Sequence, residues 1–397
     1  MFPLEGITIL DLTRLIPGAL CTSILGDVGA DVIKIEEPRL GDYERTIHPF
    51  IGSIASRFLV LNRNKKSVAI NLKESVGRDV FLRMVEHSDV LVEGFRPGTM
   101  KKLGLDFETL QEINPKLIYC SISSYGQDGP CRDVVAHDVN ILGMAGVLDI
   151  TGLKKSAPVI PGVQIADSVA GMYAALGILI AVIAKNRTGR GQFLDISMFD
   201  SVLSWLFDAA SYVSSGTTLP ERGEGRLTGG LPNYNIYETK DGKHISVASL
   251  EGKFRSGLLK KLGWDDIRAE DEEATSSKIK ESDKELGVFL RETFLSKTRD
   301  SWLKELGDLN VCVAPVNSVA EALSHPHAIH RGMVVDALHA SAGNIKQLGS
   351  PLKFSNAHVD VKRLPAPLLG EHTSEILKEL GYSEKQINHI LRKNRAV

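Results

Sequence analysis

Ile7-Thr8-Ile9-Leu10-Asp11, then Pro17 to Gly29, then Asp31-Val32-Ile33-Lys34-Ile35-Glu36 read as strand, helix and strand. The outer pieces are short apolar runs, the mark of strands buried on both faces. The middle piece sets Ala19, Ile24, Leu25 and Val28 at helical spacing, and Gly29-Ala30 ends it. The alternation continues. Ser67 to Leu72 reads as a strand, Glu74 to His87 as an amphipathic helix, and Asp89 to Glu93 and Leu117 to Ile122 as further strands. Phe193 to Met198 adds another after the turn Asn186 to Gly191. Strands alternating with helices predict an α/β fold, a parallel sheet with helices on both faces.

The pattern changes at Asn235. Ile236 to Thr239 and His244 to Ala248 flank Lys240-Asp241-Gly242-Lys243, a hairpin signature. Helical segments follow from about Phe254 to Leu306, and Val311 to Val316 reads as a closing strand or edge. The predicted organisation is a large domain over 1–200, a polar, Gly-rich linker over 201–225, a smaller α+β domain over 226–325, and a tail over 326–397 with a helix near Glu371 to Leu380.

Bulk properties exclude several classes. Of 397 residues, 43% are hydrophobic and 24% charged, the composition of a globular protein. Lys plus Arg is 47 against 49 for Asp plus Glu, so the basic excess of a nucleic-acid binder is lacking. The four cysteines Cys21, Cys120, Cys131 and Cys312 show no metal-ligand spacing, and a reducing, cytoplasmic setting is expected. The N-terminal residues lack the basic-then-apolar pattern of a signal peptide. Val169 to Ala184 is apolar but short for a membrane span, and Asp167 and Lys185 bound it. It reads as a buried helix, so no membrane partner is expected. His325, His327 and His330 lack a zinc pattern and read as a loop, so no metal is expected.

Several motifs together carry a resemblance. They are Gly26 to Glu36, Asn62-Arg63-Asn64-Lys65-Lys66-Ser67, Glu93-Gly94-Phe95-Arg96-Pro97-Gly98, Gly126-Gln127-Asp128-Gly129-Pro130, Thr188-Gly189-Arg190-Gly191-Gln192 and Leu369-Gly370-Glu371-His372-Thr373. With them the chain resembles, over nearly its whole length, the class III CoA-transferase (CaiB/BaiF) family, which includes the α-methylacyl-CoA racemases. The resemblance implies a Rossmann-like large domain completed by the C-terminal tail, an inserted small domain, an interlocked homodimer and an acyl-CoA substrate. It implies no cofactor beyond the coenzyme A that the substrate carries.

The resemblance also assigns roles. Asp167 matches the aspartate shared by transferases and racemases; by itself it reads as a helix N-cap. His137-Asp138-Val139-Asn140 looks like the racemases, where the histidine is a base and the next aspartate orients it. An imidazole titrates near neutrality and suits that task. Glu251 resembles a small-domain glutamate of the racemase site, although a carboxylate in a first helical turn is common. Gly252 and Arg255 depart from the proline and aromatic expected nearby, which bears on the acyl pocket. Coenzyme A carries phosphates, so Arg63, Lys65, Lys66 and Arg96 are candidate phosphate ligands. Pro17 and Gly18 are candidates for close approach of backbone to the nucleotide. Backbone N–H groups near Asp167 are expected to receive the charge of an enolate oxygen.

The leading expectation is a 2-methylacyl-CoA racemase or epimerase, with His137 and Asp167 on opposite faces of the α-carbon. The rival is a CoA-transferase in which Asp167 attacks the thioester. A nicotinamide dehydrogenase is weaker, since the first crossover lacks G-x-G-x-x-G. A non-catalytic CoA-binding protein fits poorly with four candidate catalytic residues in one chain.

Overall fold

The computed structural model describes residues 1–264, 281–307 and 310–395. In chain order its strands are β1 (Thr8–Asp11), β2 (Asp31–Glu36), β3 (Phe50–Ile51), β4 (Ile54–Ala55), β5 (Lys65–Ala69), β6 (Val90–Glu93), β7 (Ile118–Ser123), β8 (Phe193–Ser197), β9 (Tyr234–Glu238), β10 (His244–Ala248), β11 (Val313–Pro315), β12 (Val334–His339) and β13 (Gly343–Leu348). The first helices are α1 (Ile16–Asp27), α2 (Ser56–Leu61), α3 (Ser75–Glu86), α4 (Thr99–Lys102), α5 (Phe107–Ile113), α6 (Asp138–Met144), α7 (Val147–Ile150) and α8 (Ile165–Thr188).

Six strands form one parallel sheet in the order β5-β2-β1-β6-β7-β8. Numbered within the sheet that order is 3-2-1-4-5-6, the Rossmann arrangement, and the predicted α/β class is what forms. Strand order reverses between β1 and β6, and open α/β sheets bind ligands beyond the carboxyl ends at that point. Asp11 ends β1 and Glu93 ends β6. The apolar runs are strands because both faces are covered: every residue of β6 and β7 is buried. On one face Leu10, Ile33, Val68, Leu91 and Tyr119 join Val80, Phe81 and Met84 of α3 in one core. Elsewhere α1 packs against α8. A Cβ at Gly171 would lie 2.6 Å from the Pro17 carbonyl oxygen, so that approach requires glycine.

The chain divides into two compact units. The larger holds residues 1–145, 163–205 and 325–397. Its C-terminal part is stitched to the sheet edge. Gly370 N donates to Ser67 Oγ at 2.9 Å and Ala69 N donates to Thr373 Oγ1 at 3.0 Å. Ile376, Leu377, Ile387 and Ile390, from helices Thr373–Glu379 and Glu384–Arg395, complete the core over α3.

The smaller unit holds 146–162 and 206–324. It has an antiparallel sheet in the order β11-β10-β9, with the hairpin where the sequence indicates it. Tyr237, Ile245, Val247, Leu258, Leu290, Phe294 and Trp302 form its core. Two boundaries differ from expectation. The excursion 146–162 belongs here, and so do residues 206–225, read as a linker. Arg222 explains part of this: its Nε donates to the Asp149 carbonyl at 2.6 Å and its Nη2 pairs with Asp149 Oδ1 at 3.3 Å. Back in the larger unit, the expected histidine loop is a short helix, Pro326–His330, whose cap His325 accepts from His327 N at 3.1 Å. No cluster of His, Cys, Asp and Glu among the described residues is arranged to hold a metal.

Candidate active site

At the carboxyl end of β1 the sheet buries a set of charges. Asp11 accepts from Thr13 N at 2.9 Å, Thr22 Oγ1 at 2.7 Å and Lys65 Nζ at 3.1 Å. Lys34 Nζ pairs with Asp42 at 2.8 Å and donates to the Thr13 carbonyl at 2.9 Å. All four charged side chains are fully enclosed. Burial opposes the charge on Asp11, yet the Lys34 and Lys65 ammoniums hold its carboxyl well below the usual range. The network shapes the crossover: Asp42 Oδ1 accepts from Leu15 N at 3.1 Å, where Leu15 takes a φ of 64° before α1.

The residues of the expected phosphate cluster have partners within the protein. Lys65 is enclosed and engaged by Asp11, Asn62 and the Ala19 carbonyl. Arg63 forks onto Asp27 at 3.0 and 2.7 Å and also binds the Val60 carbonyl. Asn64 binds Asp27 and the Asp360 carbonyl, which ties the motif to the tail. Lys66 pairs with Glu375 at 3.1 Å. Gly18 lies against Thr13, whose side chain is 2.2 Å from where a Cβ would sit. Pro17 instead offers its carbonyl to the tight contact with Gly171.

Arg96 is exposed on the turn after β6, and among the described residues no ion pair occupies it. Arg14 stands after β1, bonded to Tyr43 Oη at 2.9 Å, with its guanidinium 5.6 Å from the Phe95 ring centre. Sequence reading missed Arg14; its signal was a lone cation just past a strand's carboxyl end. At the end of β6 Glu93 is buried and accepts from Ser121 Oγ and from Phe95 N at 2.7 Å. Gln127 Nε2 donates to Ser121 Oγ at 2.8 Å, which joins two of the family motifs. Burial pushes the Glu93 carboxyl up to about 7.

A second group of acids centres on α8. Asp167 lies in the first turn of α8, where Gln164 is the cap position. It is therefore not the N-cap. That job falls to Asp138, whose Oδ1 accepts from Ala166 N at 2.7 Å and Asp167 N at 3.2 Å. Two expectations change with this. Asp138 directs its bonds to α8 and not to the His137 ring, and the Ala166 and Asp167 N–H groups are already occupied, so they are not free for an enolate oxygen.

His137 stands at the start of α6, one residue before Asp138, and is exposed. Asn140 Oδ1 accepts from His137 N at 3.1 Å and fixes that turn. The Asp138 bonds thus bring the His137 segment to the start of α8. No hydrogen bond or ion pair among the described residues engages the Asp167 carboxylate. Burial, with repulsion from Asp138 and Glu44 against a smaller pull from Arg57, lifts the Asp167 carboxyl to about 7. Glu251 belongs to the smaller unit, where it is exposed at the cap position of helix Gly252–Leu262. Arg255, four residues on, is buried and pairs with Asp283 at 3.7 Å.

The larger unit is thus a Rossmann-like sheet with a partly buried aspartate in the first turn of α8. The chain belongs to CoA-transferase family III, whose model matches residues 4–373. It is 35% identical to the human succinyl-CoA:glutarate CoA-transferase, over 98% of this chain and 89% of that one. It is also 35% identical to the mouse alpha-methylacyl-CoA racemase, over 97% and 95%. A solved CAIB/BAIF family protein from Brucella suis superposes with a TM-score of 0.83 at 34% identity, covering 96% of this chain and 99% of that one. The family is one of enzymes acting on CoA thioesters, as transferases or racemases.

Proposed function

We propose that the protein racemises or epimerises 2-methylacyl-CoA thioesters at the α-carbon. The observation that carries this is the unbonded Asp167 carboxyl, held near pH 7, with the His137 segment fastened to the start of its helix. A thioester acidifies its α-C–H bond. In one direction His137 takes that proton, the electron pair moves to the thioester oxygen as an enolate, and the protonated Asp167 delivers a proton to the opposite face. In the other direction the roles exchange. A carboxyl near 7 is populated in both states at neutral pH, which a two-way proton carrier requires. The substrate brings its own coenzyme A, so the exchange calls for no further cofactor. Arg96, with Arg14, is the proposed phosphate contact.

The rival reading has Asp167 attack the thioester carbonyl, releasing CoA thiolate and forming a mixed anhydride. Relatives named as CoA-transferases, as similar as the racemases, support it. One experiment separates the two. Incubated with a single enantiomer of a 2-methylacyl-CoA in heavy water, without an acceptor acid, the enzyme takes up α-deuterium and loses chirality under the racemase reading. Absence of uptake, with hydroxylamine inactivation only after acyl-CoA is added, supports the transferase and overturns ours.

The working form is proposed to be an interlocked homodimer. Support comes from the exposed apolar stripe Met172, Tyr173, Leu176, Ile180 and Ile183 along α8. Sedimentation at micromolar concentration checks it: a monomer contradicts this reading.

A further inference from the structure

Glu93 is a buried acid at the end of β6 that the chemistry above leaves without a task. The other residues of β6 are apolar and buried, so packing alone calls for an apolar side chain here. The bonds it makes are with neutral donors. Its Oε2 accepts from Phe95 N at 2.7 Å, and its Oε1 accepts from the hydroxyl of Ser121, its register partner on β7. The first bond fixes the turn that carries Arg96. Phe95 N is held by Glu93, and the Arg96 carbonyl accepts from Thr99 N at 3.0 Å, so the backbone is pinned on either side of that side chain. The second bond reaches the next loop. Ser121 Oγ also accepts from Gln127 Nε2 at 2.8 Å, and Gln127 N donates to Asp195 Oδ2 at 2.8 Å. Arg132 Nε donates to the Gln127 carbonyl at 2.9 Å, and its Nη2 lies 3.4 Å from where a Cβ on Gly98 would sit. One carboxylate thus ties together the loops that leave the carboxyl ends of β6 and β7, beside the point where strand order reverses.

We propose that Glu93 is a positioning residue for coenzyme A: it holds the turn that aims Arg96 at the phosphates, with the Ser121–Gln127 link as its brace. This deepens, and rests on, the Arg96 contact proposed above. Arg96 is exposed, and a long cation on a loose loop would have to be ordered when the ligand arrives. A turn fixed in advance lowers that cost, and the gain is confined to ligands that carry the phosphates.

The test compares two ligands that share their acyl and pantetheine parts: 2-methylbutyryl-CoA and 2-methylbutyryl-pantetheine, which lacks the phosphates and the nucleotide. Both are titrated calorimetrically into the full chain. Arg96→Ala, which removes the contact itself, lowers affinity for the CoA ester roughly tenfold and leaves the pantetheine ester unchanged. Glu93→Leu, which removes both acceptors, reproduces that selective loss to within about threefold. Glu93→Gln still offers a carbonyl to Phe95 N and an amide to Ser121 Oγ, so it stays within about threefold of the wild type. Ser121→Ala removes the brace alone and costs the CoA ester about threefold. An equal loss on both esters in Glu93→Leu leaves the acid a structural role only and overturns the proposal, as does no loss on either. Should Glu93→Leu not fold, Ser121→Ala decides: a loss confined to the CoA ester supports the proposal, and an equal or absent loss overturns it. A selective loss in Arg96→Ala without one in Glu93→Leu removes the positioning role and keeps the contact; no selective loss in Arg96→Ala removes both. Binding needs no turnover, so none of these outcomes depends on the racemase reading.

Discussion

Two clusters of charge in the larger unit are built from the same side chains and end in opposite states. Around Asp11 two enclosed ammoniums face two enclosed carboxylates, and hydroxyl and backbone donors add further bonds to Asp11. Around Asp167 the charges of Asp138 and Glu44 oppose ionisation against the pull of Arg57, and among the described residues the Asp167 carboxyl has no donor. The first cluster stabilises its charges and lowers the Asp11 pKa; the second leaves a charge under-compensated and raises Asp167 to about 7. Complete pairing marks a structural site, and a deliberate shortfall marks a reactive one.

The contrast breaks most visibly in activity. Asp167→Asn keeps the shape but removes the proton carrier, and racemisation falls roughly 10²–10⁴-fold; a loss under tenfold in a coupled chiral assay removes Asp167 from the mechanism. Next in size is Lys65→Met, which strips Asp11 of an enclosed partner. Urea denaturation should register a loss of about 3–5 kcal/mol, and a loss below about 1 kcal/mol would show that this network does not hold the sheet edge.

The clusters also respond to pH with opposite sign. Asp11 is depressed on folding, so its contribution is present above the ordinary carboxylate pKa and fades as pH falls. Asp167 is raised on folding, so between its ordinary 3.8 and about 7 the folded state holds more protons and stability declines as pH rises. Asp167→Asn should therefore stabilise the fold at pH 8 by up to about 2 kcal/mol after solvent screening. The gain should disappear below about pH 4. A gain independent of pH contradicts the assignment. The smallest expected effect belongs to Asp138→Ala, which removes the cap of α8 and costs about 1 kcal/mol by thermal unfolding. It should also lower the upper limb of the pH–rate profile, because Asp138 repulsion helps to raise Asp167.

Much of this fold is legible in the sequence because its strands are buried on both faces and appear as uninterrupted apolar runs. The hairpin β12–β13 is not, since the half-buried Val334 and the exposed Asp336 and Lys346 break the pattern. Nor is the excursion 146–162, because its membership depends on Arg222, far along the chain. The partners of the basic motif were not legible either. Arg63 and Lys65 look the same in sequence whether solvated or paired, and only the placement of Asp27 and Asp11 makes them structural. Asp167 was legible as a helix-start acid, while the Asp138 cap beside it arises from a contact between distant segments.

The central claim is two bases on opposite faces of one carbon, and α-proton exchange followed separately for each enantiomer tests it most directly. In heavy water, Asp167→Asn should still exchange the α-proton of the one enantiomer whose proton faces His137, without racemising it. His137→Gln should exchange only the other enantiomer. If either variant exchanges both enantiomers at equal rates, or His137→Gln racemises at the wild-type rate, a single base does the work and the account is wrong.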